Sequence, residues 1–377
     1  MRDRIALLAT CQVVLLIAGC ARQPEPRFNL GAQSQRLKPE FQNQIAKILS
    51  EQCGQPLSPK LLGNTAVTSK HMKRGAEIYS RYCVQCHGVN GDGNGVAAQY
   101  LVPKPRNYTM GIFKFTSCAY GYKPLREDLI RTVRRGIRGT SMPAFPLLPR
   151  GDLEAVVDYV IALSRRGELE SKLADQAEFD EKIDEEKLPE VIADIVGKWD
   201  AANSQVVYPI TPMPIFTRAN IDEGKKAFLN QELGCFKCHG EDGRGMLASN
   251  VGTDAWGNPT KAADLTSGML RGGTEPLDIY RHIVAGINGT PMPSFRDAEK
   301  IKAAPESIWN LVSYVLSVAD IRRRGLTPDS GFIENGMLKP LPGVKPSAEA
   351  AAPAPPAALS TTRVLSGPEN ANRVAAR

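Results

Sequence analysis

Two short stretches carry the plainest chemistry in this chain, Cys83-Val84-Gln85-Cys86-His87-Gly88 and Cys235-Phe236-Lys237-Cys238-His239-Gly240. In a Cys-x-x-Cys-His run each thiol can add to a haem vinyl as a thioether, and the adjacent imidazole is delivered to the iron as its fifth ligand. Cys83, Cys86 and His87 are therefore expected to hold one haem c, and Cys235, Cys238 and His239 a second. A redox dithiol would need a βαβ setting, and a zinc site would need further Cys or His ligands at regular spacing; neither is present. With only four histidines in the chain, His71 and His282 are the two left over, and both are expected at the surface or behind a ligand.

A sixth ligand completes the iron unless that position is left open. Met142 and Met292 are the candidates, because both stand in one repeated context, Gly136-Ile137-Arg138-Gly139-Thr140-Ser141-Met142-Pro143 and Gly286-Ile287-Asn288-Gly289-Thr290-Pro291-Met292-Pro293. A thioether is a soft, neutral ligand that favours reduced iron, so His/Met ligation raises the reduction potential. The prolines after each methionine stiffen the presenting loop. Met110, Met246 and Met269 lack that context and are expected to be core filler. For the acidic side groups of the haems, Arg106 and Lys261 are candidate donors, with a solvated surface role as the alternative.

These residues must be positioned by helices. Gly75 and Tyr79 precede the first attachment run, as Gly224 and Phe228 precede the second, with three more residues before Cys235. After each methionine loop comes a helical stripe, Leu153, Val156, Val157, Val160 and Ile161 in one case and Ile308, Leu311, Val312, Val315 and Leu316 in the other. The stripe has the i, i+3, i+4, i+7, i+8 spacing of an amphipathic helix, and no period-two run is long enough to build a sheet. Both repeats resemble class I cytochrome c domains, and the whole resembles a dihaem membrane-associated cytochrome c. The resemblance implies that Gly75 lets the first helix approach the last near Tyr159, and Gly224 does the same near Tyr314. The extra residues before Cys235 imply a bulge or a shifted helix end.

The expected architecture is all-α, with two tandem class I cytochrome c domains at 69–168 and 218–327. A helical acidic linker at 169–217 joins them, striped by Leu188, Val191, Ile192, Ile195 and Val196 and packing lightly on one domain. A disordered tether at 20–68 and a Pro/Ala-rich disordered tail at 328–377 flank them. Residues 1–19 have the layout of a signal peptide: Arg2 and Arg4, an apolar run from Ile5 to Ile17, then Ala18-Gly19-Cys20. Ile17-Ala18-Gly19-Cys20 resembles a bacterial lipobox, which makes Cys20 the expected lipidated residue and the chain an extracytoplasmic lipoprotein on a membrane anchor; an uncleaved anchor helix or an ordinary signal peptide are the alternatives. The remaining Cys53 and Cys118 are a candidate disulfide in an oxidising compartment.

A net charge of +7 is more than halved by the four propionates of two haems, and no Lys/Arg cluster interleaved with aromatics suggests nucleic-acid binding. Saturated His/Met iron points to electron transfer without bond-making on a substrate. The expected partners are redox proteins, a quinol-oxidising complex or periplasmic dehydrogenase on one side and an oxidase or reductase on the other. The rival reading is a dihaem enzyme, a peroxidase or sulfur-compound oxidoreductase with one displaceable haem ligand, whose site the segment from Phe113 to Lys123 would line.

Overall fold

The computed structural model describes residues 26–64, 66–245, 251–324, 333–334 and 337–338. The expected leader, Cys20, Met246 and, apart from residues 333–334 and 337–338, the expected tail at 328–377 lie outside the described residues. The described chain is helical, with three two-residue antiparallel hairpins as its named strands: β1 (Gly54–Gln55) with β2 (Ser58–Pro59), β3 (Gly252–Thr253) with β4 (Pro259–Thr260), and β5 (Ile333–Glu334) with β6 (Met337–Leu338).

The first domain is built on α3 (Ser69–Tyr82), α4 (Val84–His87), α5 (Arg126–Arg135) and α6 (Arg150–Phe179). Thr68 starts α3 by accepting a hydrogen bond from the His71 amide, the N-cap geometry a threonine favours. The second domain repeats the plan with α8 (Arg218–Phe228), α9 (Cys235–His239), α10 (Pro276–Ala285), the short α11 (Glu299–Ala303) and α12 (Ser307–Arg324). Thr217 and Asn220 form a reciprocal capping box at the start of α8.

In each domain the first long helix crosses the last at a glycine. A Cβ on Gly75 would overlap the carbonyl oxygen of Ala155, and one on Gly224 the carbonyl oxygen of Asn310. The close crossing brings Tyr79 within 5.0 Å of Tyr159 and Phe228 within 5.1 Å of Tyr314, centroid to centroid. The apolar stripes of the last helices are buried as their spacing requires; Leu316 alone is only partly covered. The three additional residues before Cys235 are absorbed by ending α8 at Phe228 and adding a turn, in which Asn230 Oδ1 accepts from the Glu232 and Leu233 amides.

The structure corrects four expectations. The described part of the 20–68 segment is not a disordered tether: α1 (Ala32–Gln35) and α2 (Pro39–Cys53) pack on α6, with Ile45, Ile48 and Leu49 in the first-domain core. Ile45, Ile48 and Leu49 are spaced i, i+3, i+4, a stripe masked by the surrounding Gln, Pro and Lys. The domain boundary at 168 falls inside α6, which continues to Phe179 because Leu169, Leu173 and Ala177 prolong its buried face. Gly167 does not end this helix; it lets Thr109 approach the helix backbone.

The linker is helical, as α7 (Leu188–Ala201), yet it packs firmly on the first domain. Ile195 and Trp199 are buried, and Trp199 Nε1 donates to Glu168 at 2.8 Å. Cys53 and Cys118 are both free thiols. Cys53 is fixed at the end of α2, whereas Cys118 bridges to Val206 and its thiol donates to the Ala202 carbonyl oxygen, so the folded N-terminal segment commits the two sulfurs to different surroundings. Burial pushes the Cys53 thiol up to about 12 and Cys118 up to about 11, which keeps both protonated and unreactive.

The domains meet through equivalent surfaces. Ile112, six residues after Arg106, packs on Gly289 in the second methionine loop; Met269, six residues after Ala263, packs on Gly139 in the first. Arg131 of α5 and Arg281 of α10 both reach Ser117 Oγ, and Arg135 bonds Asp278 across the joint at 3.3 Å. Such reciprocity is the internal counterpart of an isologous interface, in which each partner offers the same patch.

Candidate functional site

Each attachment run sits on a short helix whose geometry is set by its first cysteine. The His87 amide donates to the Cys83 carbonyl oxygen at 2.9 Å, closing one turn that brings Cys83, Cys86 and His87 together. α9 repeats the turn for Cys235, Cys238 and His239.

The two histidines share one orientation. His87 Nδ1 lies 3.1 Å from the Arg106 carbonyl oxygen, and His239 Nδ1 lies 3.0 Å from that of Ala263. A carbonyl can only accept, so Nδ1 carries the proton and the Nε2 lone pair is left for a metal. Burial holds both imidazoles below the ordinary histidine pKa, favouring the neutral form that a metal binds. His87 also stacks on Tyr108 with centroids 4.7 Å apart, and Tyr79 donates its hydroxyl to the Gly88 carbonyl oxygen at 2.8 Å.

Met142 and Met292 stand on superposable loops. The Ile137 amide donates to the Met142 carbonyl oxygen at 3.1 Å, and the Ile287 amide to that of Met292 at 3.2 Å. Each methionine amide donates to a threonine hydroxyl two residues earlier, Thr140 or Thr290, at 3.2 Å. Gly136 and Gly286 open the loops at φ +66° and +68°, a conformation that a side chain disfavours and that here also faces the loop's own backbone.

In the second domain these residues share one cavity of about 1310 Å³, lined by Cys235, Cys238, His239 and Met292 and walled by apolar side chains that include Phe228 and Leu265. Its size, apolar walls and convergent thiol, imidazole and thioether groups fit a haem c. In the first domain the same donor set stands on the same two frames, with His87 buried.

Other expectations come out differently. Met110 and Met269 are exposed, at 41% and 55%, and are not core filler; Met269 serves the domain joint. Arg106 does not stay within its own repeat: its guanidinium lies 3.6 Å over the ring of Trp256, in the second domain. Lys261 stands at the surface of the second cavity. His71 bonds Asp158 at 2.7 Å, and Arg126 grips the same carboxylate through two nitrogens, tying α3, α5 and α6 together. His282 lies against Phe115 of the other domain. The segment from Phe113 to Lys123 is mainly a joint between the domains, with Lys114 and Phe115 reaching the second cavity. Trp256 and Lys114 sit in aperiodic loops, where no sequence pattern marks them.

Residues 70–160 match the family described as cytochrome c oxidase, cbb3-type, subunit III, and residues 221–319 match the cytochrome c family. The cbb3-type cytochrome c oxidase subunit CcoP of Helicobacter pylori is 27% identical over 243 residues, covering 63% of this chain. The aligned region spans 57% of that subunit's length. Among solved structures, a chain of the Kuenenia stuttgartiensis reducing HAO-like protein complex is 30% identical with a TM-score of 0.49, covering 65% of this chain and 96% of that one.

Proposed function

Because the chain is a dihaem cytochrome c, two cytochrome c domains with two covalently bound c-type haems and a function in electron transfer, we propose a specific division of its residues and partners. Cys83, Cys86, His87 and Met142 would hold the first haem, and Cys235, Cys238, His239 and Met292 would hold the second. The observation that carries this reading is the duplicated pair of frames: an imidazole whose Nδ1 is committed to a backbone carbonyl, and a methionine on a loop fixed by the same hydrogen bonds in both domains.

When bound, each haem supplies a one-electron iron couple, tuned upward by a thioether ligand. The protein's part is to hold imidazole and sulfur in place, so that neither redox state requires a large rearrangement. Burial of His87 and the apolar lining of the second cavity would limit water at a bound haem. With His87 and Met142 on one iron and His239 and Met292 on the other, no position would be left for a substrate, the arrangement of a carrier and not of an enzyme.

The chain relays electrons from a quinol-oxidising complex or periplasmic donor to a terminal oxidase or reductase, as a subunit of such a complex or a carrier beside it. Similarity to an oxidase subunit supports an oxidase as the acceptor. The sequence Ile17-Ala18-Gly19-Cys20 supports an extracytoplasmic lipoprotein anchored through Cys20. Among the described residues no helix is long and apolar enough to cross a membrane.

The test is optical. Oxidised protein should show methionine-to-iron charge transfer from both centres and bind cyanide slowly. Prompt cyanide binding at either iron would overturn the carrier reading in favour of a dihaem enzyme.

A further inference from the structure

The cavity that holds Cys235, Cys238, His239 and Met292 is not made by the second domain alone. Residues 101–107, with Lys114 and Phe115, come from the first domain and form one of its walls. Arg106 is the residue of that wall whose state is least explained by the protein around it. Its carbonyl oxygen receives His87 Nδ1 in its own domain, while its guanidinium stacks on Trp256 in the other. Trp256 is fixed in turn, donating Nε1 to the Asn107 carbonyl oxygen at 3.3 Å.

The guanidinium has no hydrogen bond or ion pair among the described residues. A cation over a ring is held by the ring's quadrupole, which leaves its N–H donors unused. The neighbouring carboxylate, Asp254, is already committed: Oδ1 accepts from the Trp256 and Asn258 amides, and Oδ2 from Lys114 Nζ at 3.2 Å. Arg271, from the second domain, adds another cation to the lining near Lys114. Arg106, Lys114 and Arg271 thus share the lining of a largely apolar cavity with Asp254, whose oxygens are already engaged. Half-buried charge of one sign is costly unless an anion joins it, and a guanidinium fork matches a carboxylate best. A haem c brings two carboxylates of its own.

We propose that Arg106, assisted by Lys114, is the first domain's contribution to the second haem site, pairing with that haem's propionates. The inference rests on the assignment of the second haem to Cys235, Cys238 and His239. It makes Arg106 a residue shared between centres: its backbone orients the imidazole of one, and its side chain neutralises the acid groups of the other. A cation beside the propionates favours the electron-richer, reduced state, so Arg106 holds the second potential up.

The experiment is a spectroelectrochemical titration of the full-length protein with infrared difference spectra. The double variant Cys235→Ala/Cys238→Ala is measured first; its haem content should fall from two to one, which identifies the second centre by elimination. A count still at two would remove the haem assignment and this proposal with it. Given that assignment, Arg106→Gln should lower the potential of the second centre more than that of the first and shift the propionate carboxylate bands. Arg106→Lys should recover part of both effects, and Lys114→Gln should reproduce a smaller one. If the second centre's potential and carboxylate bands stay unmoved in both Arg106→Gln and Lys114→Gln, or if the first centre shifts as much, Arg106 does not serve the second haem.

Discussion

His282 illustrates how much a single residue's surroundings decide. It is packed against Phe115 and Gly272, and burial, reinforced by Arg131 and Arg281, pushes its pKa down to about 4. In the unfolded chain the same imidazole takes up its proton near pH 6.5. The unfolded state therefore binds more protons between those values, and the stability due to this group is complete above pH 6.5 and lost as pH falls towards 4. The loss amounts to about 3 kcal/mol. Urea midpoints of the parent and His282→Gln, compared from pH 7 to pH 4, should converge on acidification. A constant gap would show that His282 does not titrate in this window. Methionine offers a second residue-scale check: Met142→Ala should abolish one of two methionine charge-transfer bands and lower one potential, leaving the Met292 centre in place.

Among the elements, the helix crossings were legible through the resemblance of both repeats to class I cytochrome c domains, which implied a close approach at Gly75 and Gly224. Gly224→Ala places a methyl group where the Asn310 carbonyl lies, and should cost about 1–3 kcal/mol in urea denaturation as α8 and α12 are forced apart. The attachment runs and methionine loops were legible from their own residues, because their chemistry lies in contiguous positions. α2 was not, since its few apolar positions are diluted by Gln, Lys and Glu, and only the long continuation of α6 provides the surface that buries them. Ile48→Ala should therefore cost about 2–5 kcal/mol, the range for truncation in a core, where a residue on a loose tether would cost almost nothing. The Arg106 to Trp256 contact was hidden for a further reason. It joins loops 150 residues apart, and neither loop carries a periodic signal.

At the scale of the whole molecule, the duplicated sequence becomes a duplicated surface, with Ile112 on Gly289 answered by Met269 on Gly139. One residue breaks the symmetry usefully. Asn288 is buried at the joint, where Oδ1 accepts from the Gly121 amide at 2.8 Å and Nδ2 donates to the Tyr122 carbonyl oxygen at 3.1 Å. Asn288→Ala should leave both backbone groups unpaired at a cost of about 1–3 kcal/mol, loosening the domains before either unfolds. Small-angle scattering and proteolysis between Phe113 and Lys123 would register that opening; an unchanged envelope and unchanged cleavage would mean the clamp is dispensable.

The packing of the N-terminal segment bears on where this protein can work. Phe28 already rests against the first-domain core, so an acyl group on Cys20 would be joined to it through eight residues of chain. At about 3.5 Å per residue, that leash reaches at most about 28 Å. The first domain would then ride close above the lipid headgroups, meeting partners that diffuse in the plane of the bilayer and unable to search the space beyond it.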